Sequence, residues 1–83
     1  MKRMRVIVSL LEGVANDEIS TEEALRKWPN IDEEEDKLLT AAWHDLSHFQ
    51  ADSDIRARDE AYATYQRNLL TERAREIRER YRA

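Results

Sequence analysis

A chain of 83 residues with one Gly, one Pro and no Cys is short enough for a single domain. It lacks the turn residues of an all-β fold and can form neither a disulfide framework nor a thiolate metal site. Charged residues make up 39% of it, mixed in sign, and the net charge is −4, a balance that suits amphipathic helices and disfavours a nucleic-acid binder, which normally shows a net basic footprint.

Lys2, Arg3 and Arg5, followed by Val6 to Leu11, imitate a secretory leader, but the apolar run stops at Glu12 without a small-residue cleavage site. No stretch approaches the ~20 apolar residues of a membrane span. The expectation is a soluble, cytoplasmic protein. Met4, Ile7, Val8, Leu11 and Val14 recur at helical spacing and predict a first helix over about 3–16. Gly13 costs that helix ~1 kcal/mol relative to Ala, so it marks a close helix contact.

Ser20-Thr21-Glu22-Glu23 has the form of a capping box, with Ile19 placed before the cap as a hydrophobic staple. The second helix is therefore short, about 21–28, with Ala24, Leu25 and Trp28 inward. Pro29 ends it by disfavouring helical backbone at the preceding residue. Asp32 followed by Glu35 repeats the capping pattern for a third helix. The acids Glu33, Glu34, Glu35 and Asp36 then fall in its first turn, where the helix dipole favours them. Four consecutive acids exceed what capping needs, so the run is also a candidate for partner binding. Leu39, Ala42, Trp43, Leu46 and Phe49 form the apolar stripe of this helix, which ends near Ala51.

Asp52, Ser53, Asp54 and Asp59 are turn and cap formers, and the segment they punctuate reads as a connection tied by Arg56 and Arg58. A last helix over about 60–82 is predicted by Tyr62, Tyr65, Leu69, Leu70, Ala74, Ile77 and Tyr81. Arg75–Glu79 and Glu76–Arg80 lie at i, i+4 spacing on it. The prediction is an all-α fold, a small antiparallel four-helix bundle with a short second helix, as one domain over 1–83.

Charge is segregated along this chain. Residues 1–11 hold three bases and no acid, residues 12–60 fifteen acids against five bases, and residues 61–83 six bases against three acids. An acidic middle repels phosphates and attracts basic proteins.

Little in the sequence supports an enzyme. His44-Asp45-Leu46-Ser47-His48 resembles the zinc-protease helix motif with Asp in place of Glu, but Asp is a methylene shorter and no third ligand is marked. No glycine-rich phosphate loop or supported nucleophile set is present, and no cofactor is implied. Arg73, Arg75, Arg78, Arg80 and Arg82 are interleaved with Glu72, Glu76 and Glu79, which dilutes their field, so no nucleic-acid partner is expected. The aromatic residues read as core, except Trp28, whose position before Pro29 predicts partial exposure.

Three features together resemble the bacterial self-protective colicin-like immunity proteins, the group that includes the colicin D immunity protein. They are the N-terminal apolar helix leading into Glu18-Ile19-Ser20-Thr21-Glu22-Glu23-Ala24, the central helix running into His48-Phe49-Gln50-Ala51-Asp52-Ser53-Asp54-Ile55-Arg56-Ala57-Arg58-Asp59, and the amphipathic C-terminal helix. This chain is shorter between its second and third helices than the family pattern. The resemblance implies an acidic helical protein that binds a basic nuclease toxin and blocks its active-site cleft. On that reading Asp32, Glu33, Glu34, Glu35 and Asp36 make contact, together with Asp52, Asp54, Asp59 and Glu60, and Trp28 supplies an aromatic anchor. The alternative is a helical interaction or structural protein of other partnership, including a homo-oligomer.

Overall fold

The computed structural model describes residues 2–29 and 36–81. Among these residues the fold is all-helical, with α1 (Lys2–Ala15), α2 (Thr21–Lys27), α3 (Lys37–Ala51), α4 (Ser53–Arg58) and α5 (Glu60–Arg80). No helix among them is long and apolar enough to cross a membrane.

The core is assembled from the predicted stripes. Ile7, Leu11 and Val14 of α1 meet Leu39, Ala42, Leu46 and Phe49 of α3 and Leu70, Ala74 and Ile77 of α5, with Ala24 and Trp28 closing one side. The first and last helices pack most extensively on one another. They run antiparallel: Arg67 reaches the Ala15 carbonyl at the finish of α1, whereas Tyr81 lines one cavity with Met4 at its start.

Local chemistry sets the ends of the helices. After α1, the Glu18 amide bonds the Gly13 carbonyl at 2.7 Å and the Asp17 amide bonds the Val14 carbonyl at 3.2 Å. Asp17 itself is left-handed, at φ 60, so the turn is a Schellman motif with Asp where Gly is usual. Gly13 is the close contact expected, although its neighbour is a loop side chain. A Cβ there would stand 3.1 Å from Ile19 Cγ1. Ser20 caps α2 by accepting from the Glu23 amide, as the capping box requires, while the Glu23 carboxylate lies near Arg26 and Lys27.

Two boundaries differ from expectation. The cap of α3 is Asp36, whose carboxylate accepts from the Leu38 amide at 2.9 Å. Asp36 therefore precedes the first turn, and Asp32 to Glu35 lie outside the described residues. The segment read as a connection forms a fifth helix, α4. Asp52 adopts φ −95, ψ 18 between α3 and α4, which bends the helical path at that residue without ending it. Its amide still bonds the His48 carbonyl, and its carbonyl accepts from the Arg56 amide.

Candidate partner-binding surface

The corner where α3, α4 and α5 meet is built around one buried amide, Gln66. The Arg56 guanidinium lies over the Phe49 ring, 3.5 Å from its centroid. It donates to the Phe49 carbonyl and, at 2.9 Å, to Gln66 Oε1. Burial and the nearby Arg67 cation pull the Arg56 pKa below its usual value, against the opposing pull of Asp52. At its other end Gln66 donates from Nε2 to Asp52 Oδ2 at 3.0 Å. The Tyr62 hydroxyl donates to the same oxygen at 2.8 Å, and this bond, followed by desolvation, holds the Tyr62 phenol above its ordinary pKa.

This network fixes the wall of an open groove of about 210 Å³ between α3 and α5. On the α3 side the lining residues are Asp45, His48, Phe49 and Asp52; on the α5 side they are Tyr62, Tyr65, Gln66 and Leu69. Both sets follow i, i+3, i+4, i+7, two turns of a single helix face. Tyr65 stacks on Tyr62 with centroids 6.1 Å apart and planes 26° from parallel. It is also 60% exposed, whereas its sequence spacing predicts core. Asp45 is held from behind by Arg73, Nε to Oδ2 at 2.7 Å.

The acids expected at an interface fall into different settings. Asp36 is engaged within the fold: besides capping α3 it accepts from the Tyr81 hydroxyl and lies 3.6 Å from Arg80. Asp52 is bonded to Tyr62 and Gln66. Asp59 caps α5 through the Tyr62 amide at 3.1 Å, yet stays exposed. Asp54, within 3.8 Å of Arg58, and Glu60 are exposed near the start of α5. Trp28 is buried against the core, contrary to the partial exposure expected of it. The turn before Pro29 folds its ring inward, and it is not an exposed anchor.

Neither histidine is buried. His44 meets the edge of Trp43, with centroids 5.2 Å apart, and His48 stands on the groove rim. Among the described residues no group of three or more His, Asp or Glu side chains gathers as a metal site would require.

A second cavity, of about 510 Å³, lies between α1 and α5, with Met4, Val8 and Tyr81 on its floor and Arg5 and Arg78 at its edge. Arg78 is held there by Glu12 at 2.6 Å. Its rim is cationic, the opposite of the α3–α5 groove. Sequence reasoning found Asp52 but missed Asp45, Tyr62, Tyr65 and Gln66 as a set. The signal available was the matched pair Asp45-x-x-His48-Phe49-x-x-Asp52 and Tyr62-x-x-Tyr65-Gln66-x-x-Leu69. No family model, curated protein or solved structure matches this chain.

Proposed function

We propose that this chain is a small protein-binding module of the immunity type, a non-enzymatic cytoplasmic protein that neutralises a basic nuclease toxin by occupying its active-site cleft. The observation that carries the reading is the sorting of charge along α5. Asp52, Asp54, Asp59 and Glu60 gather near its start against Arg56 and Arg58, while Arg73, Arg75, Arg78 and Arg80 lie toward its finish among Glu72, Glu76 and Glu79. For 21 residues these ends are about 31 Å apart, well beyond a Debye length of ~8 Å at physiological salt. A cationic cleft approaching the start of α5 therefore meets more acid than base there, Arg56 and Arg58 included, and the arginines at the finish of α5 are screened from it. Carboxylates are suitable substitutes for substrate phosphates, and steering by the field speeds capture. The five helices are taken as a four-helix plan with α4 as an added corner.

The test is capture from the source organism's lysate at low salt, elution by rising salt, and assay of each identified protein for nuclease activity with and without added chain. The expected result is a basic nuclease that elutes late and is inhibited at one-to-one stoichiometry. Replacing Glu33, Glu34 and Glu35 by Lys in one variant, and Asp54, Asp59 and Glu60 by Lys in another, separates the two acidic regions. At least one should lose tenfold or more in affinity, equivalent to about 1.4 kcal/mol. Absence of any inhibited nuclease, with the chain self-associating instead, would overturn the reading in favour of a homo-oligomeric scaffold.

A further inference from the structure

We infer that the groove between α3 and α5 is a receptor for an arginine side chain presented by a protein partner. This rests on the partner-binding reading above and adds to it the point of contact.

Three features of the groove favour a guanidinium. Its floor and rim carry two carboxylates and two phenol rings, and no Lys or Arg side chain is among its lining residues. Asp45 and Asp52 stand seven positions apart on one helix face, about 10 Å along the axis, with Phe49 between them. Of the two, Asp45 already pairs with Arg73 through Oδ2 at 2.7 Å, so Asp52 is the carboxylate that a planar cation entering there would meet. Both hydrogen bonds that the described residues make to the Asp52 carboxylate end on Oδ2, from the neutral donors Tyr62 and Gln66, so Oδ1 accepts none from them. Arg56 influences Asp52 across space, but both hydrogen bonds of its guanidinium run from Nη1, to the Phe49 carbonyl and to Gln66 Oε1, and neither ends on Asp52.

The tyrosines supply the second half of the site. Tyr62 is held by its hydroxyl, and Tyr65 lies on it with an open face. A guanidinium stacked on that face gains a cation–π contact, and its edge can reach a carboxylate with paired hydrogen bonds. A lysine offers a point charge and cannot stack, so the groove selects arginine over lysine. The rings and the Asp52 carboxylate are already ordered by their mutual bonds, so binding loses little side-chain entropy on this side of the contact. The volume, about 210 Å³, admits one such side chain and excludes a folded element.

The test uses acetyl-Gly-Arg-Gly-amide and its lysine and citrulline counterparts, titrated into the isotope-labelled chain and followed by amide chemical shifts. The arginine peptide is expected to shift His48, Tyr62, Tyr65 and Leu69 saturably. The citrulline peptide, equal in shape and lacking the charge, should leave them still, and the lysine peptide should bind at least threefold more weakly. Asp52→Asn and Tyr65→Ala should each weaken the arginine peptide three- to tenfold, whereas Glu22→Gln, an equal charge change at an exposed position of α2, should alter it less than twofold. Circular dichroism and thermal melting of each variant separate loss of the site from loss of the fold. Equal shifts with citrulline, or weakening by Glu22→Gln as large as by Asp52→Asn, would overturn the inference. Concentration-dependent self-association abolished by Tyr65→Ala would make the arginine donor a second copy of this chain and overturn the hetero-partner form. The two proposals fail separately. A nuclease inhibited equally by the Tyr65→Ala variant refutes the groove and spares the function, while a groove that binds arginine with no nuclease inhibited does the reverse.

Discussion

Gln66 is buried between three helices and uses both ends of its amide. Arg56 meets its carbonyl, Asp52 its amine, and each partner comes from a different part of the α3–α4 bend. The Arg56 bond is charge-assisted, and the same guanidinium covers an aromatic face. Replacing Arg56 by Ala leaves the Gln66 oxygen without its donor in the core and uncovers Phe49. The cost should be about 2–4 kcal/mol, a fall in Tm of roughly 10–20 °C for a domain of this size. Arg56→Lys should recover less than half, since it keeps the charge and loses the planar fork; thermal melts of the two variants side by side measure this. Asp52 and Tyr62 also set a pH dependence. The folded Tyr62 pKa is raised, so the unfolded chain releases that proton first, near pH 10. The stabilisation is complete below that value and declines as pH rises through the higher folded pKa. Urea titrations from pH 9 to 11.5 should show a steeper loss of stability for the wild type than for Tyr62→Phe.

Among the helix caps, the one before α3 also ties that helix to α5. Asp36 caps the Leu38 amide and holds Arg80 and Tyr81 at the far end of α5. Asp36→Ala should cost about 1–2 kcal/mol, more than Ser20→Ala at roughly 1 kcal/mol, because only the first also releases α5. Asp36→Asn keeps an acceptor and should lose less than Asp36→Ala. Midpoints of urea unfolding would order the three variants. The capping pattern for α3 was legible in the sequence but its register was not. Asp32 and Asp36 both satisfy the local rule, and the bonds that distinguish Asp36 come from Tyr81 and Arg80, 45 and 44 positions away. The helices α1, α2 and α5 were readable from period and caps, since those signals are local. By contrast α4 was hidden: six residues with cap formers at both ends look like a turn, and what makes them a helix is the bond of Arg56 to Phe49 and Gln66. For Trp28 the spacing with Ala24 and Leu25 read inward and the neighbouring Pro29 read exposed, and the structure sides with the spacing. The groove was legible only as two matched spacings, and nothing local says that they face each other.

At the scale of the whole molecule, the start of α5 carries a small excess of acid and the last turns of α5 a small excess of base, and the groove opens near the acidic end. Binding through that end should therefore weaken with salt, while the melting temperature of the free protein should change little, since most surface ion pairs such as Arg75–Glu79 contribute under about 1 kcal/mol. The pairing of α1 with α5 has another consequence. The two helices that share the largest contact are the first and the last, so their meeting closes a loop spanning 52 positions between Ala15 and Arg67. A circular permutant that joins Tyr81 to Lys2 through about six residues, opened between Pro29 and Asp36, would leave all five helices uncut and turn that pairing into a local hairpin. Shortening the loop roughly eightfold saves about 2 kcal/mol of closure entropy. If α1 and α5 meet in the transition state, stopped-flow refolding of the permutant should be ten- to twentyfold faster; an unchanged rate would place their docking after the barrier. A permutant that refolds faster yet melts at the same temperature would show that the order of helices along this chain governs how quickly it folds more than how tightly it is held.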